Sequence, residues 1–164
     1  MKSLKRSSSF AASDLNAAGA PNAASDPKAF LNAEGSPEIV YRDASGNLQA
    51  IVNNAGSWKA LDLSRATFFA PAAGAPMGFV SECATHVVYV DASHHVRFVE
   101  TPGADESALD LSALSGATDD AYSDPQGFAD ASGALHVIYR DINGKVHEIV
   151  RGLSGFSHNV LSVI

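Results

Sequence analysis

A phrase of sixteen residues is written three times in this chain, and that repetition dictates the architecture before anything else is considered. The copies are Pro37-Glu-Ile-Val-Tyr-Arg-Asp-Ala-Ser-Gly-Asn-Leu-Gln-Ala-Ile-Val52, Thr85-His-Val-Val-Tyr-Val-Asp-Ala-Ser-His-His-Val-Arg-Phe-Val-Glu100 and Leu135-His-Val-Ile-Tyr-Arg-Asp-Ile-Asn-Gly-Lys-Val-His-Glu-Ile-Val150. Their tyrosines, Tyr41, Tyr89 and Tyr139, lie 48 and 50 residues apart. Self-similarity at that period marks stacked supersecondary units such as propeller blades, none of which can bury its own faces alone. Function is therefore to be sought at the joints between repeats.

Within each copy the periodicity is that of strands. Val, Ile and Tyr gather in short runs bounded by Asp, Ser, Asn, Gly and Pro. A first strand follows a proline in every unit, as Pro27-Lys-Ala-Phe-Leu, Pro76-Met-Gly-Phe-Val and Pro125-Gln-Gly-Phe-Ala, with Phe30, Phe79 and Phe128 spaced by 49 and 49. The second strand is the Val-Tyr run, and a tight turn comes next: Asp43–Gly46, Asp91–His94 and Asp141–Gly144. Asp opens such turns by accepting a hydrogen bond from a backbone N–H two residues on. Gly closes them because it adopts positive φ without a Cβ clash. His94 stands in the place of that Gly, which predicts a longer or strained middle hairpin. Third strands follow at Leu48–Val52, Val96–Glu100 and Val146–Val150, and fourth strands at Ser57–Ser64, Ser107–Ser112 and Phe156–Ile164. Four antiparallel strands per unit describe a blade, and helical apolar stripes are nearly absent.

The chain thus reads as all-β, a β-propeller of four-stranded antiparallel blades with about three blades per chain. An N-terminal arm spans 1–26, and the blades span 27–64, 65–112 and 113–164. Within the arm, Phe10-Ala-Ala-Ser-Asp-Leu-Asn16 reads as one more fourth strand, a candidate for swapping onto a partner. Propellers use four to eight blades, so three cannot close a ring, and the end blades would expose apolar faces of the kind that mark an interface. Two chains closing one six-bladed homodimer are the simplest solution. A fragment, or a design cut from a longer propeller, is the alternative.

Composition narrows the functional classes. Apolar content of 46% against 18% charged supports a packed core in 164 residues. A net charge of −7, with only 11 Lys and Arg, argues against a nucleic-acid surface, which must neutralise phosphates with clustered cations. The lone Cys83 cannot form an intramolecular disulfide and reads as a small packed residue. No run reaches the roughly 18 apolar residues of a membrane span. The basic start is followed by Ala, Ser and Asn rather than an apolar core, so no secretory leader is expected. The expectation is a cytoplasmic protein, or one released by a non-classical route.

The third copy, residues 135–148, resembles the blade of the fucose-binding lectins of the Aleuria aurantia type. Their repeats run Ile-Arg-Val-Tyr-Tyr-Gln-Asp-x-x-Gly-x-Ile-Arg-Glu with a Trp shortly after. The likeness covers most of 28–164. It implies a six-bladed ring, assembled in small members from several short chains, with a sugar pocket between adjacent blades. It also implies an Arg and a Glu on the sugar hydroxyls, with aromatic rings on the apolar face of the sugar. The Arg position falls on Glu38, His86 and His136, the Glu position on Ala50, Phe98 and Glu148, and the aromatic on Trp58, Glu106 and Phe156. The third repeat comes closest with His136, Glu148 and Phe156, and the first keeps Trp58. An imidazole poorly replaces the planar five-donor fork of Arg.

Independently of that likeness, a mid-strand Glu148 sharing a face with Val146 and Val150 is costly to bury. A hairpin closed by Asp141–Gly144 would place His136 and Glu148 diagonally on one face, close enough to hold a polar ligand or simply to pair at a rim. Arg42 and Arg140, each in a Tyr-Arg-Asp triplet, are either ligands at one mouth of the ring or bonded to turn carbonyls. Trp58 is either a sugar platform or a packing ring between blades. Catalytic and metal motifs are absent: there is no Gly-x-Ser-x-Gly and no His-Glu-x-x-His, and His94 and His95 are adjacent and would point to opposite faces. The expectation is a non-enzymatic, cofactor-free lectin taking fucosylated or methylated glycans at His136, Glu148, Phe156, Trp58, His86, Arg140 and Arg42. A non-catalytic oligomeric propeller scaffold for protein–protein interaction, natural, fragmentary or designed, is the rival.

Overall fold

The computed structural model of the chain describes residues 19–101, 107–118 and 120–162. The fold is all-β. Strands β1 (Lys28–Leu31), β2 (Pro37–Arg42), β3 (Leu48–Asn54) and β4 (Ser57–Asp62) form a first antiparallel sheet. A second comprises β5 (Met77–Ser81), β6 (Ala84–Val90), β7 (Val96–Thr101) and β8 (Ala108–Asp110). The third comprises β9 (Gln126–Ala129), β10 (Leu135–Arg140), β11 (Val146–Gly152) and β12 (Gly155–Val160). In each, the strands lie side by side in chain order. The expected extra strand at 10–16 lies outside the described residues.

Packing occurs between sheets, which explains the Val, Ile and Tyr runs of the second strands. Val40, Leu48 and Ala50 of the first sheet meet Val87, Tyr89 and Val99 of the second. On the other face of that sheet, Val88, Val96 and Phe98 meet Leu135, Val137, Tyr139 and Ile149 of the third. The middle sheet is thus buried on both faces, as a sheet covered on both sides must be, and alternation vanishes from its sequence. At the innermost strands the repeated phenylalanines act as pegs. The Phe30 ring lies over Gly78, and the Phe79 ring over Gly127, so closely that a methyl group at either glycine would overlap the ring.

The hairpin turns share one construction. Oδ1 of Asp43 accepts from the amides of Ser45 and Asn47, each at 2.9 Å, and Oδ1 of Asp91 and Asp141 does the same in the other two repeats. The second carboxylate oxygen takes a different partner in each: Gln49 at 3.2 Å, Arg97 at 2.6 Å and His147 at 3.3 Å. The middle hairpin has the same length as its neighbours, and His94 accepts the left-handed conformation outright at φ 62°. Its ring stacks on Tyr122 at 4.2 Å. A non-glycine residue held there costs about 1–2 kcal/mol, which this stacking helps to offset.

Two expectations need correction. Cys83 is exposed, at positive φ in the tight turn between β5 and β6, so it is not a packed residue. Two fourth strands are shorter than their apolar runs. In Leu-Asp-Leu-Ser, Asp62 and Asp110 turn back to accept from the amides of Ser64 and Ala113, which starts a 3₁₀ turn at Leu63–Arg65 and a short helix α1 at Leu111–Ser115. Ser64, Ser112 and Ser162 then accept from the first amide of the third strand, at 2.8, 2.9 and 2.7 Å.

Candidate functional site

The joint between the first two sheets holds a cleft of about 610 Å³, lined among others by Ala33, Glu38, Val52, Thr85 and Thr101, with one hydrogen bond spanning it. Ala33 N–H donates to Thr85 Oγ1 across it at 3.1 Å. Ala50 and Val52 stand on the strand where carboxylates would be needed. Glu38 occupies the His86 and His136 position and is only 3% exposed; burial pushes its pKa up, and hydrogen bonding to Asn32 only partly opposes this. Glu38 lines the cleft of this joint, and among the residues that line it Thr85 and Thr101 stand on the second sheet.

The joint between the second and third sheets is open. A cleft of about 590 Å³ runs along it, lined among others by His86, Glu100, Ser132, Arg151 and Ser154. His86 and Glu100 face each other directly across β6 and β7. Phe98 takes the expected Glu position, and Glu100 supplies a carboxylate two residues further along the same face. Arg151 enters from the opposite wall, with Nη1 3.7 Å from Glu100 Oε2, and both side chains are about half exposed. The His86 side chain is only 4% exposed. Burial lowers its pKa, so the ring is neutral at physiological pH. Its Nδ1 has no hydrogen-bond partner and stands 3.7 Å from Glu100 Oε2, too far for a hydrogen bond. Such a site offers an acceptor, a guanidinium donor and an unsatisfied imidazole nitrogen on the walls of one cleft. Neither Glu100 nor Arg151 stood out in the sequence. Glu100 could have been found by allowing a shift of two residues along one strand face.

The outer face of the third sheet carries the other polar cluster. His136 and Glu148 are diagonal neighbours, His136 lying opposite Val150 and Glu148 opposite Ile138. His136 Nδ1 and Glu148 Oε1 are 2.9 Å apart, with both side chains 17% exposed. Asn159 Nδ2 donates to Glu148 Oε2 at 3.1 Å, and His136 Nε2 lies 3.3 Å from Asp130 Oδ2. The hydrogen bond to Glu148 raises the His136 pKa, and the same bond lowers that of Glu148. Phe128 lies flat on the imidazole at 4.9 Å and 4°.

Phe156 does not join this pair. Opposite Arg151 in the sheet, it points to the other face and borders a small void with Phe98, Leu111 and Leu135. Trp58 sits in the first sheet opposite Asn53, remote from both clusters. Arg42 and Arg140 spend their guanidinium groups on carbonyls: Arg42 on Ala24 and Asp43 at 2.8 and 3.2 Å, Arg140 on Tyr122 and Asp141 at 3.3 and 3.1 Å. Each ties down the loop that leads into its own sheet. Among the described residues, no group of three His, Cys, Asp or Glu side chains is placed to hold a metal ion.

No family model matches the chain, and no curated protein matches its sequence. Solved structures do share its fold. A fucose lectin from Kordia zhangzhouensis, in complex with methyl-fucoside, superposes with a TM-score of 0.56 at 12% identity, over 84% of this chain and 99% of that one. A triple arginine-to-alanine mutant of AofleA from Arthrobotrys oligospora superposes with a TM-score of 0.54 at 11% identity, over 79% of this chain. The chain spans 39% of the length of AofleA.

Proposed function

We propose that the chain is a non-catalytic carbohydrate-binding protein whose glycan site is the cleft between its second and third sheets. The observation that carries this reading is the unsatisfied Nδ1 of His86, buried beside Glu100 and facing Arg151 across the cleft. A buried polar group without a partner costs about 1–3 kcal/mol, which a ligand hydroxyl would recover. Vicinal hydroxyls suit this set, since Glu100 accepts, Arg151 donates and the imidazole does either according to its tautomer. The fold shared with a fucose lectin supports the class of ligand, and the methyl-fucoside bound to that Kordia protein makes fucosylated or methylated glycans the first candidates. Nucleic acid is disfavoured by the net charge of −7. Among the described residues, no helix is long and apolar enough to cross a membrane.

A glycan array at neutral pH tests the proposal. The wild-type chain is expected to bind a restricted set of glycans, released by free sugar. Glu100→Ala and Arg151→Ala should each weaken binding at least tenfold, the loss of one charge-assisted hydrogen bond of about 1.5–3 kcal/mol. A blank array at high protein concentration would sink the glycan reading and leave a scaffold for protein–protein interaction.

A further inference from the structure

We propose that the cleft between the second and third sheets is operated by a proton. On acidification His86 takes a proton, captures Glu100 and withdraws that carboxylate from Arg151 and from the ligand. The cleft therefore holds its ligand at neutral pH and releases it in acid. The inference rests on the glycan reading above and adds regulation to the same site.

Glu100 Oε2 stands between two nitrogens carried by different sheets, 3.7 Å from His86 Nδ1 and 3.7 Å from Arg151 Nη1. Neither distance is that of a hydrogen bond. Glu100 and Arg151 are about half exposed and have room to adjust, whereas His86 does not. Its ring is held between Phe79 at 5.3 Å and Phe98 at 5.0 Å, and its side chain is 4% exposed. A carboxylate only accepts, so it gains nothing from an imidazole nitrogen that carries no proton. In the imidazolium both ring nitrogens donate, and Nδ1–H then faces Oε2. Closing the contact to the roughly 2.8 Å of a charge-assisted bond takes a movement of about 1 Å by the half-exposed carboxylate. Phe98, stacked on the ring, lies within the roughly 6 Å at which an aromatic face attracts a cation.

The third repeat shows the closed form of such a pair. His136 takes the place of His86 in its repeat, and its Nδ1 lies 2.9 Å from Glu148 Oε1. The second oxygen of Glu148 is met by the neutral amide of Asn159 at 3.1 Å, and the bond to Glu148 raises the His136 pKa. In the second repeat a cation, Arg151, competes for the carboxylate and the pair stands open. The groups facing His86 decide where the switch acts. Burial opposes the proton most strongly and holds the pKa below the ordinary histidine value. Arg151 from the third sheet opposes it too, while Glu100, the Ser81 carbonyl and Glu82 of the β5–β6 turn favour it. Capture therefore begins below about pH 6.5, a range in which glutamates in general keep their charge down to about 4.3.

Two measurements test the switch. The first needs no ligand: the histidine rings are titrated by NMR. The His86 midpoint should lie below about 6.5 in the wild-type chain, fall further in Glu100→Gln and rise in Arg151→Ala. The first substitution removes the capturing carboxylate, and the second removes the rival cation. The second measurement follows affinity for the glycan identified on the array at about pH 7 and about pH 5, on either side of the histidine range, with folding checked by circular dichroism. The wild-type chain should weaken by about fivefold or more, the lower end of coupling between linked sites. His86→Phe refills the slot between Phe79 and Phe98 without a ring nitrogen. It should bind more weakly at neutral pH but change less than about twofold between the two pH values. By the same linkage, saturating glycan should move the His86 midpoint further down.

A wild-type affinity that is equal at the two pH values overturns the switch and leaves the glycan reading intact. So does a loss in His86→Phe as large as that of the wild-type chain, since the proton would then act elsewhere. A chain that binds no glycan at neutral pH overturns the glycan reading, and release with it. The capture of Glu100 by His86 is still decided by the ligand-free titration, where a His86 midpoint unmoved in Glu100→Gln overturns it.

Discussion

The His136–Glu148 pair makes a direct prediction at the scale of single residues. The bond to Glu148 favours the imidazolium, so His136 holds its proton above the usual histidine value, while Glu148 loses its proton below the usual glutamate value. A group with a raised folded pKa contributes stability that is complete below its unfolded value, about 6.5 for His. That contribution fades as pH climbs through the folded value. Glu148 contributes in the opposite sense: fully above about 4.3, and less as pH falls through its lowered value. The pair is therefore at full strength between about pH 4.3 and 6.5. Titration of the His136 ring by NMR should give a midpoint above 6.5 in the wild-type chain, and a lower one in Glu148→Gln. An unchanged midpoint would mean that the 2.9 Å contact is not a charged one. The diagonal placement of these two residues was legible in the sequence, because the Asp-to-Gly turn sets the strand register and register sets the face. That Phe156 points the other way follows from the register of β11 and β12, set by the two-residue turn between Gly152 and Gly155.

At the scale of elements, the peg-and-glycine joint is the most sensitive feature. Gly127→Ala would push a methyl into the Phe79 ring. Overpacking of this kind costs about 1–3 kcal/mol, and urea denaturation should show the midpoint falling with little change in slope. A neutral substitution would mean that the third sheet can move away from the second. The repeated Phe was visible from the 49-residue spacing, but its seat was not, since the glycine it covers belongs to another sheet. The shortened fourth strands carry a related lesson. Asp62 and Asp110 lie within apolar runs, and whether such an Asp extends a strand or caps a turn depends on which donors are near. Here they are the amides of Ser64 and Ala113.

For the whole molecule, ring closure by a second copy would make stability depend on concentration. Unfolding of a dimer is coupled to dissociation, so the thermal midpoint should rise when the protein concentration is raised a hundredfold. It should stay constant for Phe128→Asp, which would put a charge on an exposed ring of the uncovered face of the third sheet. A midpoint independent of concentration in the wild-type chain would argue for a folded monomer with two uncovered end faces.

The order of strands, their grouping by four, the turn chemistry and the burial of the middle repeat on both faces were all present in the sequence. Each is set by local spacing or by the polarity of consecutive residues. Which joint carries facing charges was not present. Three diverged repeats produced two clefts of different chemistry and one face that no described sheet covers. What separates them is the residue that each strand meets across a gap from a segment about 50 residues away: Thr85 against Ala33, Arg151 against Glu100, and no described sheet against His136. Contacts of that kind are fixed by how sheets stack, and only the folded chain brings them together.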